Sequence, residues 1–256
     1  MTSPPDPIAH HPLTPDEELL GAELPTVLDE LTDAERIERM RAELQMGFAA
    51  LAGIQGVSVF GSARTPETDP DYVLAREVGG RLGDAGFCVI TGGGPGIMEA
   101  ANRGALEVGA RSVGLNIELP FEEDPNPYQN IGLTFHYFFT RKVMFVRYSC
   151  AFVVFPGGFG TLDELFESLV LIQTGKISDF PILLVGTSFW GGLVDWMRDQ
   201  LVQRRLINPE NLGLVRVTDD VSEVVQACLS ATARQWGTTP SAVDAPAPDR
   251  PVSPLP

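Results

Sequence analysis

Short apolar runs alternate with amphipathic segments along the middle of this chain, and this alternation constrains its fold more than any other feature. Residues 57–60, 87–91 and 151–155 are apolar almost throughout rather than at every second position. Such runs are typical of strands buried on both faces, and strands separated by helices pair in parallel. The sequence therefore predicts an α/β fold: a Rossmann-like, doubly wound, mostly parallel sheet with helices on both faces.

The predicted elements follow one another through a single domain. A capping box at Thr32 and Glu35 opens the first predicted helix. The predicted strands cover residues 57–60, 87–91, 111–117, 133–137, 151–155, 181–185 and 214–217. The predicted helices cover residues 32–51, 70–84, 97–108, 140–149, 161–174, 189–205 and 219–232. Residues 118–130 contain three prolines and several acids, so they are predicted to form a loop.

Both ends of the chain differ in composition from its middle. Residues 1–35 contain nine carboxylates, six prolines and no lysine or arginine. Residues 1–31 are therefore predicted to form a disordered, acidic, proline-rich tail. Residues 237–256, rich in Pro, Ala and Ser, are predicted to form a second disordered tail. This leaves residues 32–236 as the folded domain.

The overall charge narrows the range of partners. The 256-residue chain carries a formal net charge of −16. A surface this acidic repels nucleic acid and anionic lipid, so no nucleic-acid or membrane partner is expected. No apolar run approaches the ~20 residues that a membrane span needs. A small anionic ligand in a locally positive pocket remains compatible with this charge.

Cys88 and Cys150 lie in or beside apolar strand-like runs, where buried free thiols are common. Cys88, Cys150 and Cys228 lie far apart and form no CxxC pair, and no histidine cluster accompanies them, so no metal site is expected. The N-terminus shows neither the basic nor the apolar region of a signal peptide. A cytoplasmic location is therefore predicted.

Three loops are predicted to meet at one edge of the sheet, because they follow parallel strands. They comprise residues 61–64, 92–96 and 156–161, and the last two are rich in glycine. Free N–H groups at a helix start, with no Cβ to obstruct approach, can bind a phosphate. Ser62 and Thr161 add hydroxyl groups. The alternative is that the glycines only permit tight turns. Neither loop fits the dinucleotide fingerprint, and neither has the lysine of a Walker A motif.

Charged residues lie close to the last of these loops. Glu164 follows Thr161 in the S/T-x-x-E form of a capping box, so it either satisfies the helix start or acts on a bound ligand. Glu167, one turn later, could share either task. Arg141 and Lys142 open a predicted helix, where the macrodipole disfavours cations, and this placement indicates an anion nearby. The alternative is a solvated pair of cations at the helix end.

The segment before Arg141 is aromatic. His136 is expected to be a packed or surface histidine rather than a catalytic base. The four aromatic residues around it are more typical of a core than of a platform for stacking bases, although one could face a purine. These residues are Phe135, Tyr137, Phe138 and Phe139.

The motifs together resemble the LOG (Lonely guy) family, the cytokinin riboside 5′-monophosphate phosphoribohydrolases that are often mislabelled lysine decarboxylases. The family motif PGGxGTxxE is present as Pro156-Gly157-Gly158-Phe159-Gly160-Thr161-Leu162-Asp163-Glu164, and the Arg141-Lys142 pair precedes it. Arg141 and Glu164 are 23 residues apart, which fits the family. Gly92-Gly93-Gly94-Pro95-Gly96-Ile97-Met98-Glu99 resembles the family's other glycine motif. The likeness covers about residues 35–235, and the acidic tail and capped first helix are more similar to the long bacterial members.

The resemblance implies a function and a set of site residues. The expected reaction is hydrolysis of the N-glycosidic bond of adenosine 5′-monophosphate, or of an N6-modified riboside 5′-monophosphate, to free base and ribose 5-phosphate. Arg141 and Glu164 match the catalytic residues. Residues 32–236 would then be the hydrolase domain, working without metal or organic cofactor as a homodimer or higher homo-oligomer, with the site near the interface. Substrate and phosphate binding is expected from Ser62, Gly93, Gly94, Gly96, Met98, Lys142, Gly157, Gly158, Gly160, Thr161 and Glu167.

Other functions remain open. A non-catalytic carrier of a nucleotide or of the molybdenum cofactor would need the phosphate loops but not the pair of Arg141 and Glu164. An adaptor would use the acidic tail to dock a basic protein. A pyridoxal phosphate decarboxylase would need a Schiff-base lysine, and the chain has only Lys142 and Lys176.

Overall fold

Seven parallel strands form one sheet in the computed structural model, which describes residues 16, 19, 31–119 and 124–236. The sheet order is β4-β3-β2-β1-β5-β6-β7. The strands are β1 (Gly56–Phe60), β2 (Cys88–Thr91), β3 (Ser112–Ile117), β4 (Ile131–Phe135), β5 (Ser149–Val154), β6 (Ile182–Val185) and β7 (Val215–Thr218). Every neighbouring pair is parallel, so the predicted sheet is confirmed.

Helices connect the strands, as the alternating pattern predicts, except between β3 and β4, where the described residues of the predicted 118–130 loop form no helix. They are α1 (Asp33–Ala50), α2 (Pro70–Asp84), α3 (Ile97–Glu107), α4 (Phe138–Arg147), α5 (Phe159–Gln173), α6 (Thr187–Trp196) and α7 (Val221–Trp236). The capping box of α1 is confirmed: the Glu35 N–H donates to Thr32 Oγ1 at 3.3 Å, and the Thr32 N–H donates to Glu35 Oε2 at 2.7 Å. No helix among the described residues combines the length and hydrophobicity of a membrane span.

The sheet carries an apolar core on each face, which is the doubly wound arrangement. On one face, Val59 and Val153 pack with residues of α2, α3 and α7. On the other, Phe60 and Phe152 pack with residues of α1, α4, α5 and α6. The three cysteines are free and buried, and burial raises the pKa of Cys88 to about 12.

Several predicted boundaries need correction. Helix α4 begins at Phe138, two residues before the predicted start. The predicted helix over 189–205 is instead α6, which ends at Trp196, followed by a π-helix (Met197–Val202). A 3₁₀ helix (Pro209–Leu214) that the sequence did not indicate precedes β7. The predicted tails lie almost wholly outside the described residues.

The strand order changes direction at β1, and this places the loops. Strand β1 pairs with β2 on one side and with β5 on the other. Strands β2 to β4 therefore lie on one side of β1, and strands β5 to β7 lie on the other. The carboxyl ends of β1 and β5 leave a crevice between them. All three predicted ligand loops follow β1, β2 or β5.

Candidate active site

The three predicted loops are joined by backbone hydrogen bonds. The Ser62 N–H donates to the Pro156 carbonyl at 2.9 Å, and the Ile97 N–H donates to the Ser62 carbonyl at 3.0 Å. Ser62 therefore lies between the two glycine-rich loops and fixes both. Its hydroxyl accepts a hydrogen bond from the Arg64 N–H at 3.0 Å. The expectation that these loops meet at one edge of the sheet is confirmed.

Two glycines of the 92–96 loop are required by the local backbone. Gly96 has φ of 68°, and a Cβ there would lie 2.4 Å from the Ser62 carbonyl oxygen. Gly93 has φ of 77°, and a Cβ there would lie 1.9 Å from Asn116 Oδ1. Both conformations strain any L-residue with a side chain. Met98, in the first turn of α3, packs against Gly92 and Gly94, because a Cβ at either would lie within 3.0 Å of its side chain.

A network of amide side chains supports this loop, and no sequence motif indicated it. The Gly93 carbonyl accepts three hydrogen bonds: from the Asn126 N–H at 2.8 Å, from Asn126 Nδ2 at 3.0 Å and from Gln129 Nε2 at 2.8 Å. Asn126 Nδ2 also lies 3.0 Å from Asn102 Oδ1, and Asn102 is fully buried. The Gly93 N–H donates to Thr91 Oγ1 at 3.0 Å. The network fixes the orientation of the Gly93 peptide.

The 156–161 loop differs from the 92–96 loop in its glycines. A Cβ at Gly157 would lie 2.1 Å from Thr161 Oγ1, so packing requires this glycine. At Gly158 and Gly160, a Cβ would meet no atom within 4 Å, and neither residue has a positive φ. Neither packing nor backbone conformation explains these two glycines.

Glu164 does not cap its helix. Helix α5 begins at Phe159, with Gly158 as N-cap and no side-chain hydrogen bond to the cap. Thr161 therefore lies within the first helical turn, and the capping-box interpretation of Glu164 is wrong. Glu164 lies in the following turn, with only 5% of its surface exposed.

Arg141 lies against Gly92, the first residue of the 92–96 loop. A Cβ at Gly92 would be 3.2 Å from its Nη2 atom, and its guanidinium stacks on the rings of Phe138 and Phe145. Its Nε atom is buried without a hydrogen-bond partner. Burial lowers the pKa of Arg141, and the nearby Glu164 opposes that effect. A buried donor without an acceptor costs free energy, so stability does not explain this placement of Arg141.

Lys142 connects α4 to a row of carboxylates on α5. Its Nζ atom lies 2.8 Å from Asp163 Oδ2 and 3.7 Å from Glu164 Oε1, and it donates a short hydrogen bond to Glu167. Burial alone would lower the pKa of Lys142, but hydrogen bonds to Asp163 and Glu167 raise it overall. Lys142 and Glu167 therefore pair with each other at the sheet edge.

The environment of Glu164 favours its protonated form. Burial is the largest cause, and it raises the pKa of Glu164 to about 7, against the opposing influence of Lys142 and Arg141. Glu167 and Asp163 raise it further. Such a carboxylate changes protonation state near neutral pH, as a general acid or base must.

His136 and the four aromatic residues around it lie in different environments. His136 lies between Glu43 and Glu118, as expected for a packed histidine. Phe135 and Tyr137 are fully buried and belong to the core. Phe138 and Phe139 are 42% and 41% exposed, so these two rings can meet a ligand or a partner.

Fold and site together define a doubly wound α/β protein in which two glycine-rich loops meet at one edge of the sheet, beside a buried carboxylate and an arginine. Residues 98–228 match the family model described as "Possible lysine decarboxylase". The match covers half of the chain, so the chain belongs to this family, the LOG family, and the resemblance is confirmed.

Two named relatives match about 60% of this chain. The pyrimidine/purine nucleotide 5′-monophosphate nucleosidase of Escherichia coli (strain K12) is 31% identical over 169 residues, which are 61% of this chain and 36% of that protein. The cytokinin riboside 5′-monophosphate phosphoribohydrolase of Mycobacterium tuberculosis is 31% identical over 160 residues, 60% of this chain and 83% of that one. The chain thus spans only about a third of the E. coli relative's length.

Solved structures agree on the fold. The molybdenum cofactor carrier protein from Chlamydomonas reinhardtii superposes with a TM-score of 0.53 and 24% identity, covering 70% of this chain and 99% of that chain. At this identity the likeness shows the fold alone.

Proposed function

We propose that this protein hydrolyses the N-glycosidic bond of nucleoside 5′-monophosphates, with AMP or an N6-modified AMP as substrate, and releases the free base and ribose 5-phosphate. The observation that carries the proposal is Glu164, buried beside Arg141 and Lys142 with a pKa raised to about 7. The relatives' names support the same reaction class.

The glycine loops supply a phosphate site in this proposal. The open faces of Gly158 and Gly160 let a phosphate approach the N–H groups at the start of α5, where the helix dipole favours an anion. The fixed Gly93 peptide presents the second loop across the same crevice. Binding the phosphate away from the reacting bond holds the ribose in place, which lowers the orientational cost of reaction at C1′.

The carboxylate acts at the sugar. Cleavage of the bond from C1′ to the base develops oxocarbenium-like positive charge on the ribose. Ionised Glu164 stabilises that charge or takes a proton from the attacking water, whose oxygen forms the new bond to C1′. The base leaves with the electron pair of the broken bond and gains one proton, so that one water is consumed overall. Arg141, with its buried Nε donor, orients the phosphate or assists the departing base. Lys142 holds α5 against α4 through Asp163 and Glu167.

Decarboxylation with pyridoxal phosphate does not fit the lysines. A Schiff-base lysine needs a readily neutralised amine. The pKa of Lys142 is instead raised by hydrogen bonds to Asp163 and Glu167, after the opposing effect of burial. Lys176, the only other lysine, is exposed just beyond the C-terminus of α5.

The test measures base release directly. Wild-type protein is incubated with AMP and with isopentenyladenosine monophosphate, and free base is separated by chromatography. Glu164→Gln should lower base release by ~10²-fold or more while AMP binding by calorimetry stays near normal. Arg141→Ala should damage the reaction more than Lys142→Ala. Tight nucleotide binding without base release in wild-type protein would favour a carrier function over hydrolysis.

We also propose that the protein acts as a homo-oligomer in a reducing cytoplasm. Helix α5 exposes an apolar face beside the site, with Phe159 at 92%, Val170 at 54% and Phe166 at 38% exposure. Apolar side chains grouped on one exposed face are typical of interaction surfaces. The free thiols suit a reducing compartment.

A further inference from the structure

Glu43 on α1 is a buried carboxylate outside the set of residues described for the chemistry. It is 5% exposed and lies against the start of α4, the helix that carries Arg141. Its Oε1 atom accepts a hydrogen bond from the His136 N–H at 2.9 Å and lies 2.8 Å from His136 Nδ1. Its Oε2 atom lies 2.6 Å from the Thr140 hydroxyl.

These contacts secure a helix start that has no cap of its own. The N-cap of α4 is Tyr137, which makes no side-chain capping bond. The Thr140 hydroxyl lies 2.8 Å from the Tyr137 carbonyl but closer to the charged Glu43, the stronger acceptor. A carboxylate at this end also interacts favourably with the positive pole of the helix dipole. Asp16 adds a second carboxylate, which accepts from the Phe138 N–H at 3.3 Å.

Thr140 is directly followed by Arg141 and Lys142, so any shift of the first turn of α4 shifts both cations. An arginine misplaced by about 1 Å can cost as much as ~10²-fold in rate. Fixing Thr140 against α1 therefore fixes the position of Arg141 relative to Gly92.

His136 links this contact to a second carboxylate. Its Nδ1 atom faces Glu43 and its Nε2 atom lies 3.0 Å from Glu118 Oε2. An imidazole donates from both nitrogens only when it is protonated, so both contacts are made fully by the cation. The hydrogen bond to Glu43 is the main cause that raises the pKa of His136; Glu118 and Glu43 charges add to it, while burial and Arg39 oppose it. Asp16 is a further charged group near Glu43.

We propose that Glu43 is a positioning residue, which ties α1 to the start of α4 and so places Arg141, and that protonation of His136 tightens this contact. The proposal rests on the proposed function only for the role of Arg141. The geometric part, a carboxylate that anchors α4, holds independently of any substrate.

The first experiment measures hydrogen exchange of the amides of residues 138–142, which needs no activity. In Glu43→Gln these amides should lose protection by roughly tenfold or more, because a neutral amide anchors the donors less strongly. The matched control is Glu38→Gln, the same change at an exposed position of α1. Unchanged protection in Glu43→Gln overturns the proposal, whether or not the wild type hydrolyses AMP.

A pair of variants at Thr140 serves where Glu43→Gln fails to fold. Thr140→Val removes the hydroxyl at similar volume, and Thr140→Ser retains it. The valine variant should lower kcat for AMP by about tenfold to 100-fold with less change in KM, and the serine variant should restore it. Equal activity of the two variants overturns the positioning role. Absence of base release from the wild type counts against the proposed function alone, and the exchange experiment then decides the anchor.

The pH arm compares wild type with His136→Gln. Protection factors of 138–142 in the wild type should fall as pH rises from 6 to 8.5, because His136 loses its proton. The glutamine variant, which cannot titrate, should show a flatter dependence. Parallel curves overturn the part of the proposal that concerns His136.

Discussion

Glu164 shows how a single residue can oppose the stability of the fold that holds it. Its position in the second turn of α5 buries the carboxyl group, and burial raises its pKa to about 7. The cations Arg141 and Lys142 reduce this effect without cancelling it. A carboxylate kept in this state is costly to fold around, as is usual for groups placed for chemistry.

The free energy of unfolding is predicted to depend on pH because of Glu164. The pKa of Glu164 lies above its unfolded value of 4.5, so folding is not penalised below pH 4.5 and the penalty is complete above about 7. A difference between 4.5 and about 7 corresponds to about 3 kcal/mol. Glu164→Gln should therefore unfold several degrees higher than wild type at pH 8. At pH 5 the gap should be small. A pH-independent gap in calorimetric Tm would contradict a titrating Glu164.

Gly158 gives a second prediction at this scale. An alanine Cβ at position 158 would meet no atom within 4 Å, so the free energy of unfolding of Gly158→Ala should match that of the wild type to within about 0.5 kcal/mol. The added methyl group would project into the proposed phosphate approach and weaken AMP binding by about tenfold or more, as measured by calorimetry. Gly213→Ala, equally open but in the 3₁₀ helix, is the control. Unchanged affinity in Gly158→Ala would place the phosphate elsewhere.

At the scale of elements, the glycine loop depends on a neighbouring segment for its shape. Asn126 supplies two of the three hydrogen bonds to the Gly93 carbonyl. Its side chain also reaches the Gly94 carbonyl at 3.0 Å. These bonds hold the turn at Gly93, whose φ is 77°, in one orientation.

Removal of this support is predicted to affect ligand binding. Asn126→Ala should weaken AMP binding by roughly tenfold, since each lost hydrogen bond contributes about 1 kcal/mol and the Gly93 peptide gains freedom. Asn130→Ala is the matched control in the same segment, because Asn130 bonds Ser112 and Ala110 instead. Equal effects of the two substitutions on binding would show that the network acts on stability alone.

The sequence predicted the regular elements better than the connections between them. Apolar runs such as 57–60 specify buried parallel strands by composition, so the sheet followed directly. The spacing of Arg141 and Glu164 matched the pattern of the LOG family. The capping-box form at Thr161 misled, because Gly158 and Phe159 start the helix without a side-chain cap. Asn126 and Glu43 were missed because their partners are 33 and 93 residues away, and no local pattern encodes such contacts.

At the scale of the whole molecule, the exposed face of α5 is expected to decide assembly. Val170→Glu places a charge on that face and should convert the oligomer to a monomer of about the 27.7 kDa chain mass, measured by light scattering after gel filtration. Val73→Glu, on α2 and 59% exposed, should leave assembly unchanged. A monomeric wild type would refute the proposed oligomer, and an unchanged mass in Val170→Glu would move the interface to another face.

Strand β5 has a consequence for how this chain can vary in length. It is six residues long, begins two residues after α4 ends, and leads through a short turn into α5. Arg141 and Glu164 are therefore joined by a nearly continuous rigid path, with little slack to absorb an extra residue. One insertion within the first turn of α5 would rotate Glu164 by about 100° around the helix axis and turn it away from Arg141. Insertions and deletions between these two positions would therefore separate the two side chains.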